Sequence, residues 1–153
     1  MMLKKIIFLL SLTLLIGCGY TPIHSFKNSK DIGIKNILFS DGDRKLNISL
    51  DQSLRRLKSN KSENLFDLTI RSKYEKETIS KDTTGAPSKY QLKAEVEFIV
   101  KFNNKSEIFR FEEFFIMDHS SDDFENLIYE DSIKQNFANS FAQKLISALS
   151  QLL

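Results

Sequence analysis

The chain has one cysteine, Cys18, in 153 residues, so no internal disulfide framework holds it together. It has no tryptophan and two isolated histidines, His24 and His119. Two separated imidazoles without a second thiol do not supply the converging ligands of a zinc site. No phosphate loop and no GxGxxG fingerprint is present, and no serine stands in a GxSxG elbow, which removes the common nucleotide-binding and hydrolase signatures. An excess of positive charge is missing too. Lys4 and Lys5 lie in a leader described below, and taking them from the 22 basic residues leaves 20 against 20 acidic ones. Nucleic acid is therefore not an expected partner, because binding its phosphates needs a basic footprint. The acid pairs Glu112-Glu113 and Asp122-Asp123 are sequence neighbours. On a strand they point to opposite faces, and at a helix start they act as caps, so neither pair is a catalytic dyad. His119 beside Asp118 reads as a loop residue. No nucleophile and base are paired, and the expectation is a protein that is not an enzyme and carries no metal or cofactor.

The first eighteen residues form a bacterial export signal. Lys4 and Lys5 are a positive start, and residues 6–16 are apolar except for Ser11 and Thr13. That run is too short to span a bilayer comfortably, which takes ~20 helical residues. It ends in Leu15-Ile16-Gly17-Cys18, which matches the lipobox of bacterial lipoproteins. The expectation is cleavage after residue 17, with Cys18 as the acylated first residue; an ordinary signal peptide with a chance cysteine is the alternative. Several acyl chains on one residue anchor a protein stably where a single chain does not. Gly19, rather than Asp, follows Cys18, which favours sorting to the outer membrane. The expected division is a signal peptide over 1–17, a lipidated tether over 18–30 and one domain over 31–153.

What the chain has in plenty is phenylalanine, thirteen in all. The domain is organised around residues 83–102. From Tyr90 every even position is apolar through Leu92, Ala94, Val96, Phe98, Val100 and Phe102. Alternation of this length predicts a long strand with one buried and one wet face. Gly85-Ala86-Pro87 before it predicts a turn. Phe66, Leu68, Ile70 and Tyr74 alternate likewise, so the two strands make a hairpin with a polar, Thr-rich tip. In residues 32–39, Ile32 and Ile34 are out of phase with Ile37 and Phe39, which predicts a strand with a bulge. Leu46, Leu50, Leu54 and Leu57 place a helix within residues 44–59, with Ser49 and Gln52 as a candidate capping box. Arg55, Arg56 and Lys58 near its end suit the helix dipole or an anionic partner. Residues 108–117 form a Phe-rich last strand whose phase slips near Glu112-Glu113, a second expected bulge. Ser120, Asp122 and Asp123 predict the cap of a long helix. Its stripe is Ile133, Phe137, Phe141, Leu145, Leu149 and Leu152. The predicted fold is α+β: a four-stranded sheet with two helices packed on one face, in the order β-α-β-β-β-α.

The segment Leu-Ile-Gly-Cys-Gly-Tyr-Thr-Pro-Ile over 15–23 and the stretch Thr-Thr-Gly-Ala-Pro-Ser-Lys-Tyr-Gln-Leu over 83–92 resemble the lipopolysaccharide-assembly lipoproteins (LptE-like), especially their alphaproteobacterial branch. The pattern of residues 138–153 after a Phe-rich strand is similar as well. The resemblance implies a plug inside an outer-membrane β-barrel (LptD-like), help in assembling that barrel, and binding of lipopolysaccharide. It also implies a basic contact near the hairpin tip, for which Lys81 and Lys89 are the nearest candidates, with Thr83 and Thr84 beside them. A second basic contact of the family falls here on acidic residues 122–125, a departure that bears on direct ligand binding. A generic envelope lipoprotein that tethers a partner is the alternative, and a lipid-anchored hydrolase the third. For the polar tip itself, a solvated loop and a partner probe both stand.

Overall fold

A computed structural model describes residues 32–153. Cys18, the leader and the tether lie outside the described residues. Four strands and two helices follow one another as β1 (Ile32–Asp41), α1 (Arg44–Leu54), β2 (Asn64–Lys81), β3 (Pro87–Phe102), β4 (Lys105–Asp118) and α2 (Asp123–Ser150). The strands form one sheet in the order β1-β2-β3-β4. β1 runs parallel to β2, and the other two pairings are antiparallel. This is the expected α+β architecture.

β1 carries the expected bulge. Its register with β2 shifts between Ile34 and Asn36, and again between Phe39 and Asp41. The shift lets Ile32 and Ile34 be buried while Ile37 and Phe39 still pack against the core. Gly42 then turns the chain at φ 124°, where a side chain would stand 2.3 Å from the Ser72 carbonyl oxygen. Only glycine accepts both the positive φ and that approach.

α1 starts nearly two turns earlier than the Ser49–Gln52 capping box would have it, since the N-cap Asp43 lies six residues before Ser49. Asp43 is the N-cap, its Oδ1 accepting from the Leu46 amide at 2.8 Å. Asp43 lies outside the leucine periodicity, whereas Ser49 is inside the helix and accepts from Ser53 through its carbonyl. Leu46, Leu50 and Leu54 are fully buried, and a 3-10 turn over Arg55–Leu57 adds Leu57 to the core.

The even face of β3 is buried as its alternation predicts: Leu92, Ala94, Val96, Phe98 and Val100. Phe66, Leu68 and Ile70 of β2 join them. Asn103 and Asn104 link β3 to β4 with φ of 49° and 62°, the left-handed pair of a tight two-residue hairpin turn. β4 has no bulge near Glu112-Glu113. Its register with β3 is unbroken from Lys89↔Asp118 to Phe102↔Lys105. The apparent slip comes from Phe114 and Ile116, apolar residues exposed on the open face of the sheet. Glu113 faces the helices instead, accepting from Ser140 and paired with Lys144 at 2.7 Å.

α2 is capped by Asp122, whose Oδ1 accepts from the amides of Phe124 at 2.8 Å and Glu125 at 3.3 Å. Ile133, Phe137, Phe141, Leu145 and Leu149 are buried along its stripe, while Leu152 packs at the rim beyond its end. At 1.5 Å per residue its 28 residues reach about 42 Å and the 11 of α1 about 16 Å. The first turns of α2 therefore run past α1 over the sheet.

Candidate partner-binding surface

The 18-residue β2 and 16-residue β3 make one arm. Ile32 pairs with Asn64 at one end of β2, and the tip follows Lys81 at the other. The chain thus enters the domain at the pole opposite the tip.

Asp82 builds the tip. Its Oδ1 accepts from the Thr84 amide at 2.8 Å, the Thr84 hydroxyl at 2.6 Å and the Ala86 amide at 3.0 Å. The Asp82 amide donates to the Ala86 carbonyl at 2.8 Å, and the Gly85 amide to the Asp82 carbonyl at 3.1 Å. These bonds, the hydroxyl of Thr84 foremost, hold the Asp82 carboxyl below its ordinary pKa. Gly85 closes the turn at φ 87°. The tip is therefore a shaped turn, although its side chains are exposed.

The four residues expected to contact a partner divide here. Thr84 is spent on Asp82. Lys89 pairs with Asp118 on β4 at 3.0 Å, both side chains largely in solvent. The side chains of Lys81 and Thr83 are exposed and make no hydrogen bond or ion pair among the described residues. The basic residues at the end of α1 are partly neutralised, since Asp51 accepts from Arg55 at 3.2 Å and Lys58 at 2.9 Å.

A second feature, which the sequence reading missed, lies where α2 crosses the arm. Lys134 is 6% exposed. Its Nζ stands 3.3 Å from Asp43 Oδ2, 3.6 Å from Glu130 Oε1 and 3.8 Å from the centre of the Tyr74 ring. The Tyr74 hydroxyl donates to Glu130 Oε1 at 3.0 Å, and Lys76 Nζ to Oε2 at 2.8 Å. Lys76 in turn lies 4.4 Å above the Tyr90 ring. Burial resists ionisation of Glu130, but hydrogen bonds from Lys76 and Tyr74 outweigh it and hold the carboxyl below its usual range. Burial first and the Glu130 charge second push the Tyr74 phenol far above its ordinary value, so the proton stays on the tyrosine. The network clamps the start of α2 to the arm. Its signal in the sequence was a lysine beside Ile133 in an apolar stripe, but Asp43 lies 91 residues from Lys134 and Tyr74 56 residues from Glu130.

The overhanging turns of α2 expose Phe124 at 69%, Leu127 at 56% and Ile128 at 55%. α1 ends its contact near Asp131, which Lys45 holds at 2.6 Å, and among the described residues none buries these three side chains. Tyr129 meets Phe115 of β4 edge to face, with ring centres 6.1 Å apart. A shaped polar tip and an uncovered apolar helix start thus share one pole of the domain. Among the described residues no group of His, Cys, Asp and Glu could hold a metal ion, and no helix is long and apolar enough to cross a membrane.

No family model and no curated protein sequence matches the chain. Solved structures do. The rare lipoprotein B of Shewanella oneidensis is 21% identical with a TM-score of 0.58, over 77% of this chain and 98% of that one. A minor lipoprotein of Acinetobacter baumannii is 12% identical with a TM-score of 0.54, over 78% and 93%. Lipoprotein B of Nitrosomonas europaea is 12% identical with a TM-score of 0.50, over 81% and 87%. At these identities the likeness is one of fold: the domain has the fold of these lipoproteins, across nearly their whole length.

Proposed function

We propose that this chain is an LptE-like lipoprotein of alphaproteobacterial type, anchored by lipid on Cys18 to the periplasmic face of the outer membrane. It plugs and helps assemble the LptD-like β-barrel that exports lipopolysaccharide, and it is not an enzyme. The observation that carries the reading is the fold shared with rare lipoprotein B, joined to the Leu15-Ile16-Gly17-Cys18 motif. The geometry supports it in two ways. A rigid arm presents Lys81 and Thr83 at its tip, at the pole away from the point where the tether joins the domain. The uncovered start of α2 at the same pole gives apolar area for a partner wall, and exposed apolar clusters of this kind mark interaction sites. The acidic residues Asp122, Asp123 and Glu125 at the helix start favour protein contact over direct lipopolysaccharide contact there, because lipopolysaccharide phosphates repel carboxylates. Tagged protein isolated from detergent-solubilised membranes should bring down a large outer-membrane barrel protein, and depletion of the chain should lower surface lipopolysaccharide. Isolation without any barrel, with normal surface lipopolysaccharide on depletion, leaves a generic tethering lipoprotein as the correct reading.

A further inference from the structure

The basic residues that follow α1 play no part in the barrel contact. Arg55 and Arg56 stand in the 3-10 turn, and Lys58 and Lys61 in the loop that leads to β2. That loop is pinned against the first residues of β1. Lys58 bridges to Ile34, and the Ser59 amide donates to the Ile34 carbonyl at 3.2 Å. A side chain at Gly33 would stand 2.7 Å from the Ser62 Cβ, so glycine is what lets the loop lie this close. Lys35 follows on β1. All five basic side chains are exposed, against two nearby acids, Asp51 and Glu63. Asp51 engages Arg55 and Lys58, whereas the side chains of Lys35 and Lys61 make no hydrogen bond or ion pair among the described residues. We propose that this cluster seats the domain on the anionic phospholipid headgroups of the membrane that holds its anchor, before a barrel takes it up.

The place where the chain enters argues for a membrane. Ile32 opens β1 beside the cluster. Residues 19–31 are thirteen in number, and extended they span at most about 45 Å. An anchor on Cys18 therefore keeps the cluster within reach of the bilayer. The anchor alone leaves the domain free to turn about the tether, so the charge at its two ends decides which end meets the surface. At the tip, Asp82 and Asp118 join the acidic start of α2 and outnumber Lys81 and Lys89. Each lysine or arginine near an anionic bilayer strengthens the attraction about fivefold, and the same surface repels the acidic end. On the sheet side of the entry pole, Lys101 and Lys105 are offset by Asp67 and Glu107, which puts the seat on the α1 side.

The 18 residues of β2, at ~3.3 Å each, carry the tip about 60 Å from the cluster. Seated, the arm stands away from the bilayer with its tip free for a partner. This is the state of the free lipoprotein, and one copy still fills one barrel. The inference rests on the lipid anchor of the proposed function and not on the identity of the barrel.

The test places the full chain, lipid included, on vesicles of phosphatidylcholine or of phosphatidylglycerol. A dye on Asn60→Cys reports the entry pole and a dye on Thr83→Cys the tip, each read against a headgroup-bound quencher. On phosphatidylglycerol the Asn60 dye should be quenched more than on phosphatidylcholine, and the Thr83 dye should not. Lys35→Glu with Lys61→Glu should lower the ratio of seated to unseated domains at least about tenfold. Salt at about 1 M, where charges are screened beyond about 3 Å, should do the same. Lys81→Glu with Lys89→Glu makes an equal change of net charge at the far pole and should lower nothing. Thermal melts show that both double variants are folded. Equal quenching of the Asn60 dye on the two lipids, closer approach of the Thr83 dye, or equal loss from the two double variants overturns the proposal. A chain that leaves phosphatidylcholine vesicles lacks the anchor and overturns the reading beneath the proposal, whereas the quenching outcomes overturn the seat alone.

Discussion

Glu130→Ala tests the clamp between α2 and the arm. The substitution removes the acceptor of the Tyr74 hydroxyl and of Lys76, and one of the two carboxylates beside Lys134. Breaking a buried ion pair by deleting one partner costs about 3–5 kcal/mol. Glu130 keeps 13% of its side chain exposed and Asp43 still faces Lys134, so the lower end, about 3 kcal/mol, is expected. For a domain of this size 1 kcal/mol moves the melting temperature by about 4 °C, so the drop should be about 12 °C. Lys134→Met should cost about 1 kcal/mol or less, because it removes the buried charge and leaves Glu130 with Tyr74 and Lys76. Lys45→Ala, which breaks a pair with both side chains about half exposed, should leave the melting temperature almost unchanged. The pH profile gives an independent reading. The Glu130 carboxyl is held below its ordinary value in the folded state, so its contribution is complete above the unfolded pKa of about 4.3. It is lost as pH falls through the lower folded value, and Glu130→Ala should flatten the acid limb of stability against pH. Melting followed by circular dichroism from about pH 2 to about pH 7, which brackets the carboxylate values, measures both. Equal losses for Glu130→Ala and Lys45→Ala, with parallel acid limbs, would refute the reasoning.

Three further outcomes are expected. Phe98 is fully buried with its ring 6.0 Å from Phe111, so Phe98→Ala should cost about 3–5 kcal/mol; Glu97→Ala, which releases the exposed Arg71 and Arg110, should cost about 1 kcal/mol, and denaturant melts separate the two. Cys18→Ala should leave an uncleaved precursor without incorporated acyl label, and normal labelling would sink the lipoprotein reading. Lys81→Glu with Lys89→Glu should leave the melting temperature nearly unchanged, since both sit on the surface, yet weaken barrel co-isolation; a double variant that folds and retains the barrel as well as the parent does removes the tip from the interface.

The strands were legible where one face is wet and the other dry, as in β3, whose even residues are all buried from Leu92 to Val100. The bulge in β1 was legible for the same reason, because a change of phase in Ile32, Ile34, Ile37 and Phe39 has to be absorbed somewhere. The same logic failed on β4. There Phe114 and Ile116 are apolar residues left on the open face, and periodicity alone cannot separate a bulge from an uncovered apolar pair. The cap of α1 was missed because Asp43 sits beyond the leucines that mark the helix. Of the tip, its position and polarity were readable. The use of Thr84 by Asp82 and of Lys89 by Asp118 was not, since both depend on how a turn closes and how strands align. Within the clamp only Glu130 and Lys134 are a turn apart on one helix; Asp43, Tyr74 and Lys76 come from distant parts of the chain, and no local pattern encodes that meeting.

The parallel pairing of β1 with β2 has a mechanical consequence. Ile32, where the tether joins the domain, and the hairpin tip lie at opposite ends of β2. A pull between the chain's entry at Ile32 and the hairpin tip therefore runs along the strands. It loads the registered pairs from Ile32↔Asn64 to Asp41↔Arg71 in shear, so the bonds must give together. Were β1 antiparallel to β2, the same tether would leave from the other end and peel the ladder one pair at a time. The edge strand β1 is thus set in the direction that resists being drawn out of the sheet by its own N-terminal end.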